Sequence, residues 1–160
     1  MEIINLIDED FVNFKLPSMF LIFPNCSFKC DKENGMNCCQ NSNLAYAPTI
    51  QIDAMEIVKR YEDNPITEAI VCGWLEPFDN FNDLYHLTYT LRSIDKDSLL
   101  VIYTGYTEAE LESMKMLDQI TNFHNVIIKF GRFKPGQIPH KDELLGVTLA
   151  SDNQYSKFYS

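Results

Sequence analysis

Four short apolar runs, each closed by a turn residue or a polar stretch, set the limits on what this chain can fold into. They are Met19-Phe20-Leu21-Ile22-Phe23, Ala69-Ile70-Val71-Cys72-Gly73, Leu99-Leu100-Val101-Ile102-Tyr103 and Val126-Ile127-Ile128-Lys129-Phe130. Short continuous runs of this kind are expected of strands covered on both faces. Residues 18–25 read as a first buried strand stopped by Pro24-Asn25, Thr104-Gly105 ends the third and Gly131 the fourth. Between the runs lie stretches with helical spacing. Asp53, three residues before Glu56, opens a helix with Ala54, Ile57, Val58 and Tyr61 on one side, and Asn64-Pro65 ends it. Phe81, Leu84, Tyr85, Thr88 and Leu91 mark a second helix. Thr107 and Glu110 form a capping box for a third, with Leu111, Met114 and Leu117 on one face. Residues 1–17 read as a mixed lead-in, and Leu144–Leu149 as a fifth strand or an edge hairpin.

Strands alternating with amphipathic helices imply parallel pairing through right-handed crossovers. Such sheets place ligands at the carboxyl ends of their strands. Gly73-Trp74, Thr104-Gly105 and Gly131 fall at those ends. So does Cys26-Ser-Phe-Lys-Cys30-Asp-Lys-Glu-Asn-Gly-Met-Asn-Cys38-Cys39, which holds four of the five cysteines.

With 160 residues, 46% hydrophobic and 22% charged, the chain is sized for one domain with a real core. Its start, Met1-Glu2-Ile3-Ile4-Asn5, lacks the basic and apolar regions of a secretory signal, and no apolar stretch is long enough to span a bilayer. A cytoplasmic, reducing setting is expected, with thiols free or metal-bound. The net charge of -10 argues against binding a nucleic-acid backbone. It suits either plain solubility or the docking of a basic partner.

Thiolates gathered on one strand-end loop suit a soft metal centre. Structural zinc wants four ligands in a tetrahedron, usually as two spaced pairs. Here Cys26 and Cys30 are separated by three residues, and Cys38 and Cys39 are adjacent. Neighbouring side chains diverge in extended chain, and His86, His124 and His140 lie far off in sequence, so the spacing suits zinc poorly. Three thiolates on a [4Fe–4S] cube, with one of the adjacent pair idle, fit better and leave one iron open. Reduced, inert thiols are the bland alternative.

The motifs resemble the radical S-adenosylmethionine (SAM) superfamily. Cys26-x3-Cys30 with a third cysteine nearby looks like its cluster loop, and Cys72-Gly73-Trp74-Leu75-Glu76-Pro77 resembles its Gly-Gly-Glu-Pro segment. A closer resemblance is to small 4Fe–4S cluster-binding proteins related to the activating proteins of anaerobic ribonucleotide reductase. Shared motifs are Cys26-x-Phe28-Lys29-Cys30, Cys39-Gln40-Asn41, Asn64-Pro65-Ile66-Thr67, Leu75-Glu76-Pro77-Phe78, Ile102-Tyr103-Thr104-Gly105-Tyr106, Ile128-Lys129-Phe130-Gly131-Arg132-Phe133 and Leu149-Ala150-Ser151-x-Asn153-Gln154-Tyr155. The resemblance implies that Cys26, Cys30 and Cys39 hold the cluster, Cys38 being extra. It implies that Gly73, Trp74, Leu75, Glu76 and Pro77 border the methionine end of SAM, and that Phe28 lies near its adenine. Thr104 and Gly105 would approach the cofactor with backbone, or form a plain turn. Two departures stand out. Eight residues intervene between Cys30 and Cys39, where the family has two, and Trp74 replaces a glycine.

Other residues have plainer readings. Cys72 reads as a small core hydrophobe, Phe78 and Phe81 as core staples of the second helix, and His124 as a loop residue. Asn153-Gln154-Tyr155 either closes the rim or caps the C-terminus. Lys129 is expected to turn toward solvent; buried, it would need an anion such as the SAM carboxylate or an acidic side chain. The implied fold is a single α/β domain over residues 1–160, a partial radical SAM-like barrel with a mostly parallel sheet of about four to six strands. The implied function is an oxidoreductase that uses a 4Fe-4S cluster and SAM to generate a radical on a macromolecular partner, such as the glycyl radical enzyme anaerobic ribonucleotide reductase. The alternative is a non-enzymatic acidic protein on the same scaffold, inhibiting a basic target as phage inhibitors of host defence nucleases do.

Overall fold

The four apolar runs become adjacent strands of one sheet. In the computed structural model, which describes residues 1–160, the elements in chain order are β1 (Glu2–Ile3), β2 (Asn5–Asp10), β3 (Ser18–Phe23), α1 (Lys29–Asn34), β4 (Ile50–Gln51), α2 (Ala54–Glu62), β5 (Ala69–Trp74), α3 (Phe81–Ile94), β6 (Leu99–Tyr103), α4 (Glu108–Ser113), α5 (Leu117–Thr121), β7 (Val126–Phe130), β8 (His140–Asp142), β9 (Val147–Leu149) and β10 (Tyr155–Tyr159). The main sheet has the order β10-β7-β6-β5-β3-β2. Strands β3, β5, β6 and β7 pair in parallel, while β2 and β10 pair antiparallel at the two edges. The result is a mixed α/β domain around an open, mostly parallel sheet.

Each parallel strand lies beside its predecessor and always on the same side. Right-handed crossovers then deliver α2, α3, α4 and α5 to one face. Strand alternation divides the core accordingly. Met19, Leu21, Phe23, Ile70, Cys72, Leu100, Ile102, Val126 and Ile128 pack against Ile57 and Val58 of α2, Leu84 and Leu87 of α3, Leu111 of α4 and Ile120 of α5. Phe20, Ile22, Val71, Val101 and Ile127 point to the other face, which is covered by Phe14, Leu145 and Leu149 from a loop and the β8–β9 region. Gly73 lies on that second face, where a Cβ would sit 3.2 Å from Cβ of Tyr103 and 3.5 Å from the Phe20 ring.

Three expectations change. The lead-in contains β2, whose Asn-Leu-Ile-Asp-Glu-Asp sequence hides an edge strand because only one of its faces needs to be apolar. The tail holds the small β8–β9 hairpin, and the antiparallel edge is β10, beyond the expected segment. The helix expected through Leu111, Met114 and Leu117 is two helices: Lys115 takes φ 56, so α4 stops and α5 starts afresh. No helix is long and apolar enough to cross a membrane.

Candidate metal centre

The cysteine loop leaves the carboxyl end of β3 through buried Pro24 and folds back over the sheet rim. Asn25, Phe28 and Trp74 all take positive φ there, at 59, 50 and 75. Non-glycine residues held in this region cost conformational energy and persist where surrounding contacts over-determine them. Phe28 immediately precedes α1, placing Cys30 in that helix's first turn.

Helix α1 buries no residue, so apolar packing does not hold Cys30 in place. Charge does. Arg132 is buried and its guanidinium forks onto both carboxylate oxygens of Glu110 on α4. The Arg132 Nε lies 3.3 Å from Glu33 on α1, close enough for an ion pair but without hydrogen-bond alignment. Lys29 on the same helix lies 3.6 Å from Glu110 and 4.5 Å above the Tyr106 ring. The Glu110 carboxyl is held down to about 2, chiefly by the hydrogen bond from Arg132. Asp79 fastens the start of the loop, accepting from Ser27 N at 2.7 Å and from the Tyr106 hydroxyl at 2.5 Å. Asn80 donates to the Pro24 carbonyl at 2.6 Å. At the far end, Asn41 Nδ2 donates to the Trp74 carbonyl at 2.8 Å.

Cys26, Cys30 and Cys39 line one cavity of about 520 Å³ at the carboxyl ends of the parallel strands; Cys38 does not. Burial pushes the Cys26 thiol up to about 11, with the charges of Glu76, Asp79 and Cys39 adding to it. Burial likewise pushes Cys30 to about 12, with Cys39, Asp31 and Cys38 adding. Such thiols are protonated at neutral pH until a cation displaces the protons. A tighter group also exists: Cys30, Asp31 and Cys38 have ligand atoms all within 4.8 Å of one another. Hydrogen bonds explain that group without a metal. Asp31 Oδ1 accepts from the backbone N–H groups of Cys38 and Cys39 at 2.8 Å each, and Asn34 Nδ2 lies 3.6 Å from Cys38 Sγ. Thiols around an open space, with none of the three histidines on its wall, fit a multi-atom iron–sulfur centre better than a single tetrahedral ion.

Trp74, Leu75, Glu76, Thr104 and Gly105 line the same cavity, whereas Phe28, Gly73 and Pro77 do not. The Trp74 indole makes an edge contact with Phe20, 5.8 Å between centroids. Glu76 is a buried hub. Its carboxylate accepts from Phe78 N at 3.1 Å, Thr104 Oγ1 at 2.8 Å and Gly105 N at 2.8 Å. Desolvation nonetheless raises it to about 7. The Gly105 carbonyl accepts from Arg132 at 3.1 Å, so this turn spends its backbone groups on the protein itself.

Lys129 corrects an expectation. It is buried rather than solvent-facing, lines the cavity, and donates to the Gly131 carbonyl at 2.8 Å. The sheet is covered on both faces, so alternation offered no route to water. Gln154 also lines the cavity and donates to the same carbonyl at 3.2 Å. Cys72 is wholly buried on the helix side, and Phe78 stacks with Phe81 at 6.2 Å. His124 sits in the loop before β7.

Sequence reasoning missed Asp31, Asp79, Asn80 and the Arg132–Glu110 pair. Polar residues abound in loops, and only proximity in the fold singles these out. Arg132 had one signal, its place beside Gly131 in a recognised motif.

No curated protein and no solved structure matches the chain. A family model described as a 4Fe-4S single cluster domain matches residues 18–154, from the first residue of β3 to the cavity residue Gln154. The matched span contains the thiol loop, all four parallel strands and every anchor of the loop, and this chain belongs to the 4Fe-4S single cluster domain family.

Proposed function

We propose that this iron–sulfur protein is of the radical SAM type and generates a radical on a macromolecular partner, with a glycyl radical enzyme such as anaerobic ribonucleotide reductase as the best-fitting class. One observation carries the reading: Cys26, Cys30 and Cys39 share a cavity with the Trp74–Glu76 turn that the SAM-site resemblance singles out. Three of the four loop thiols on that wall leave one iron of a cube unligated by protein. When bound and reduced, the cluster would supply the electron that cleaves SAM into methionine and a 5′-deoxyadenosyl radical.

The chain's own residues hold and shield. Arg132, Glu110, Lys29 and Glu33 fix the Cys30 helix. Asp31 fixes the backbone at Cys39. Glu76 braces the β5 turn against the β6 turn. Phe20, Trp74 and Leu149 contribute apolar wall that limits water near the reacting centre. An open sheet edge suits completion of the site by a large partner, and the open sheet accords with a partial barrel. A reducing cytoplasm keeps such thiols available.

A second reading has its own observation. The Trp74 indole occupies the wall where the resemblance calls for glycine, and the chain carries a net charge of -10. A protein that kept the scaffold and docks a basic target would show both features. Anaerobic reconstitution with iron and sulfide, followed by SAM titration and reduction, separates the two. SAM binding with release of 5′-deoxyadenosine supports the enzyme. An intact cluster that binds no SAM supports the docking protein.

A further inference from the structure

Cys38 has no role in the cluster, yet the fold brings it close to a thiol that has. It stays off the cavity wall, but its Sγ lies within 4.8 Å of the Cys30 Sγ. Polar contacts set this approach. Asp31, next to Cys30, accepts the Cys38 N–H at 2.8 Å. Asn34 Nδ2 donates to the Cys30 carbonyl at 2.7 Å and lies 3.6 Å from Cys38 Sγ. The segment between the two thiols can yield further. Residues 32–37 are all exposed, and a Cβ added to Gly35, at φ 64, would meet nothing within 4 Å. All five cysteines are free thiols. Cys39 is the other thiol beside Cys38, and geometry is against bridging the two. Adjacent Cα atoms lie about 3.8 Å apart, short of the about 4.4–6.8 Å that disulfides span.

We propose that Cys30 and Cys38 are a thiol-oxidation site: with the cluster absent they form a reversible disulfide, and the co-reactant is a small disulfide of the glutathione class. Cys38 gives its proton to solvent and its sulfur attacks the small disulfide. That S–S bond breaks, a mixed disulfide forms on Cys38, and the first small thiolate leaves and takes up a proton. Cys30 then gives up its proton and attacks the Cys38 sulfur. The Cys30–Cys38 bond forms and the second small thiolate leaves and is protonated. The protein loses two electrons and two protons, and the small disulfide becomes two thiols. The bridge occupies a cluster ligand, so the chain cannot rebuild its centre until a thiol reductant opens it. It also shields Cys30 from irreversible oxidation. A seated cluster holds Cys30 and blocks the bridge. The site rests on Cys30 as a cluster ligand and is independent of SAM.

The test holds cluster-loaded wild type, cluster-free wild type, Cys38→Ser and Cys30→Ser anaerobically in glutathione buffers of rising disulfide fraction. Protonated thiols exchange slowly, so each buffer is held to equilibrium before intact mass and peptide mapping are read. Cluster-free wild type should gain one Cys30–Cys38 bridge. It should be half-formed at a glutathione disulfide level about tenfold or more below that which modifies Cys38→Ser, because the second sulfur is supplied within the chain. Loaded wild type should show no bridge, and Cys30→Ser should carry one glutathione on Cys38. Bridged wild type should take up no iron and sulfide until a thiol reductant is added, whereas unoxidised Cys38→Ser should take them up as unoxidised wild type does. A bridge joining another pair, a bridge that forms equally in the loaded protein, or equal sensitivity of wild type and Cys38→Ser overturns the site. So does loss of iron uptake in Cys38→Ser, because Cys38 is then a ligand rather than a spare thiol. Failure to bind SAM moves none of these readouts.

Discussion

Asp31 holds Cys39 in place: its Oδ1 accepts the Cys39 backbone N–H at 2.8 Å, and the neighbouring Cys38 N–H at the same distance. These bonds hold the Asp31 carboxyl below its ordinary range. Asp31 sits in α1 beside Cys30, so one side chain ties the two arms of the thiol loop together. Asp31→Ala should still take up iron and sulfide but lose them to a chelator several-fold faster than wild type. Asp31→Asn, which keeps an acceptor oxygen, should lie between. Decay of the cluster absorbance under anaerobic conditions reads this directly, and equal decay in all three proteins counts against the tie.

The cysteines divide by position. Cys26→Ala, Cys30→Ala and Cys39→Ala should each abolish the cluster, whereas Cys38→Ala and Cys72→Ala should retain it, because Cys38 is off the cavity wall and Cys72 lies in the core on the helix side. Iron and sulfide counts after anaerobic reconstitution check it. Loss in the Cys38 variant with retention in the Cys39 variant would reverse the ligand choice in favour of the tighter Cys30–Asp31–Cys38 group.

The Arg132–Glu110 pair makes a pH-dependent contribution of known sign. Glu110 falls to about 2 in the folded protein from an ordinary value of 4.5. A depressed carboxyl contributes stability above its unfolded pKa and loses it as pH falls through the folded one. Arg132→Met should cost about 1–2 kcal/mol at neutral pH, the lower end reflecting screening, since Glu110 is 32% exposed. The difference between the two proteins in denaturant midpoints should shrink between about pH 4.5 and pH 2. A gap that stays constant over that window would assign the loss to packing alone.

Trp74 sits at φ 75, a backbone conformation that glycine adopts freely. Trp74→Gly removes that strain and also removes the edge contact with Phe20. In a working radical SAM enzyme it should change SAM affinity only modestly. In a docking protein, wild type should bind no SAM while Trp74→Gly gains weak binding. Titration of both reconstituted proteins distinguishes these outcomes.

Much of the fold was legible because its signals are local. The runs at Met19, Ala69, Leu99 and Val126 could satisfy their apolar content only as covered strands, and the caps at Asp53 and Thr107 announce α2 and α4 through hydrogen bonds within a turn. Strand β2 was not legible, since an edge strand with Asp8, Glu9 and Asp10 carries no continuous apolar signal. Nor was the break at Lys115, which leaves the helical spacing of Leu111 and Leu117 intact.

The sequence by itself determined that thiols gather after the first parallel strand, that helices alternate with strands, and that the strand-end turns converge on one rim. These follow from residue type and spacing, which act over a few residues. Only the tertiary structure decided that Cys39 and not Cys38 lines the cavity with Cys26 and Cys30, that Arg132 reaches across to the Cys30 helix, and that Lys129 is buried. Those depend on which distant segments meet, and the energies concerned, ion pairing, desolvation and hydrogen bonding, exist only once the partners are in contact.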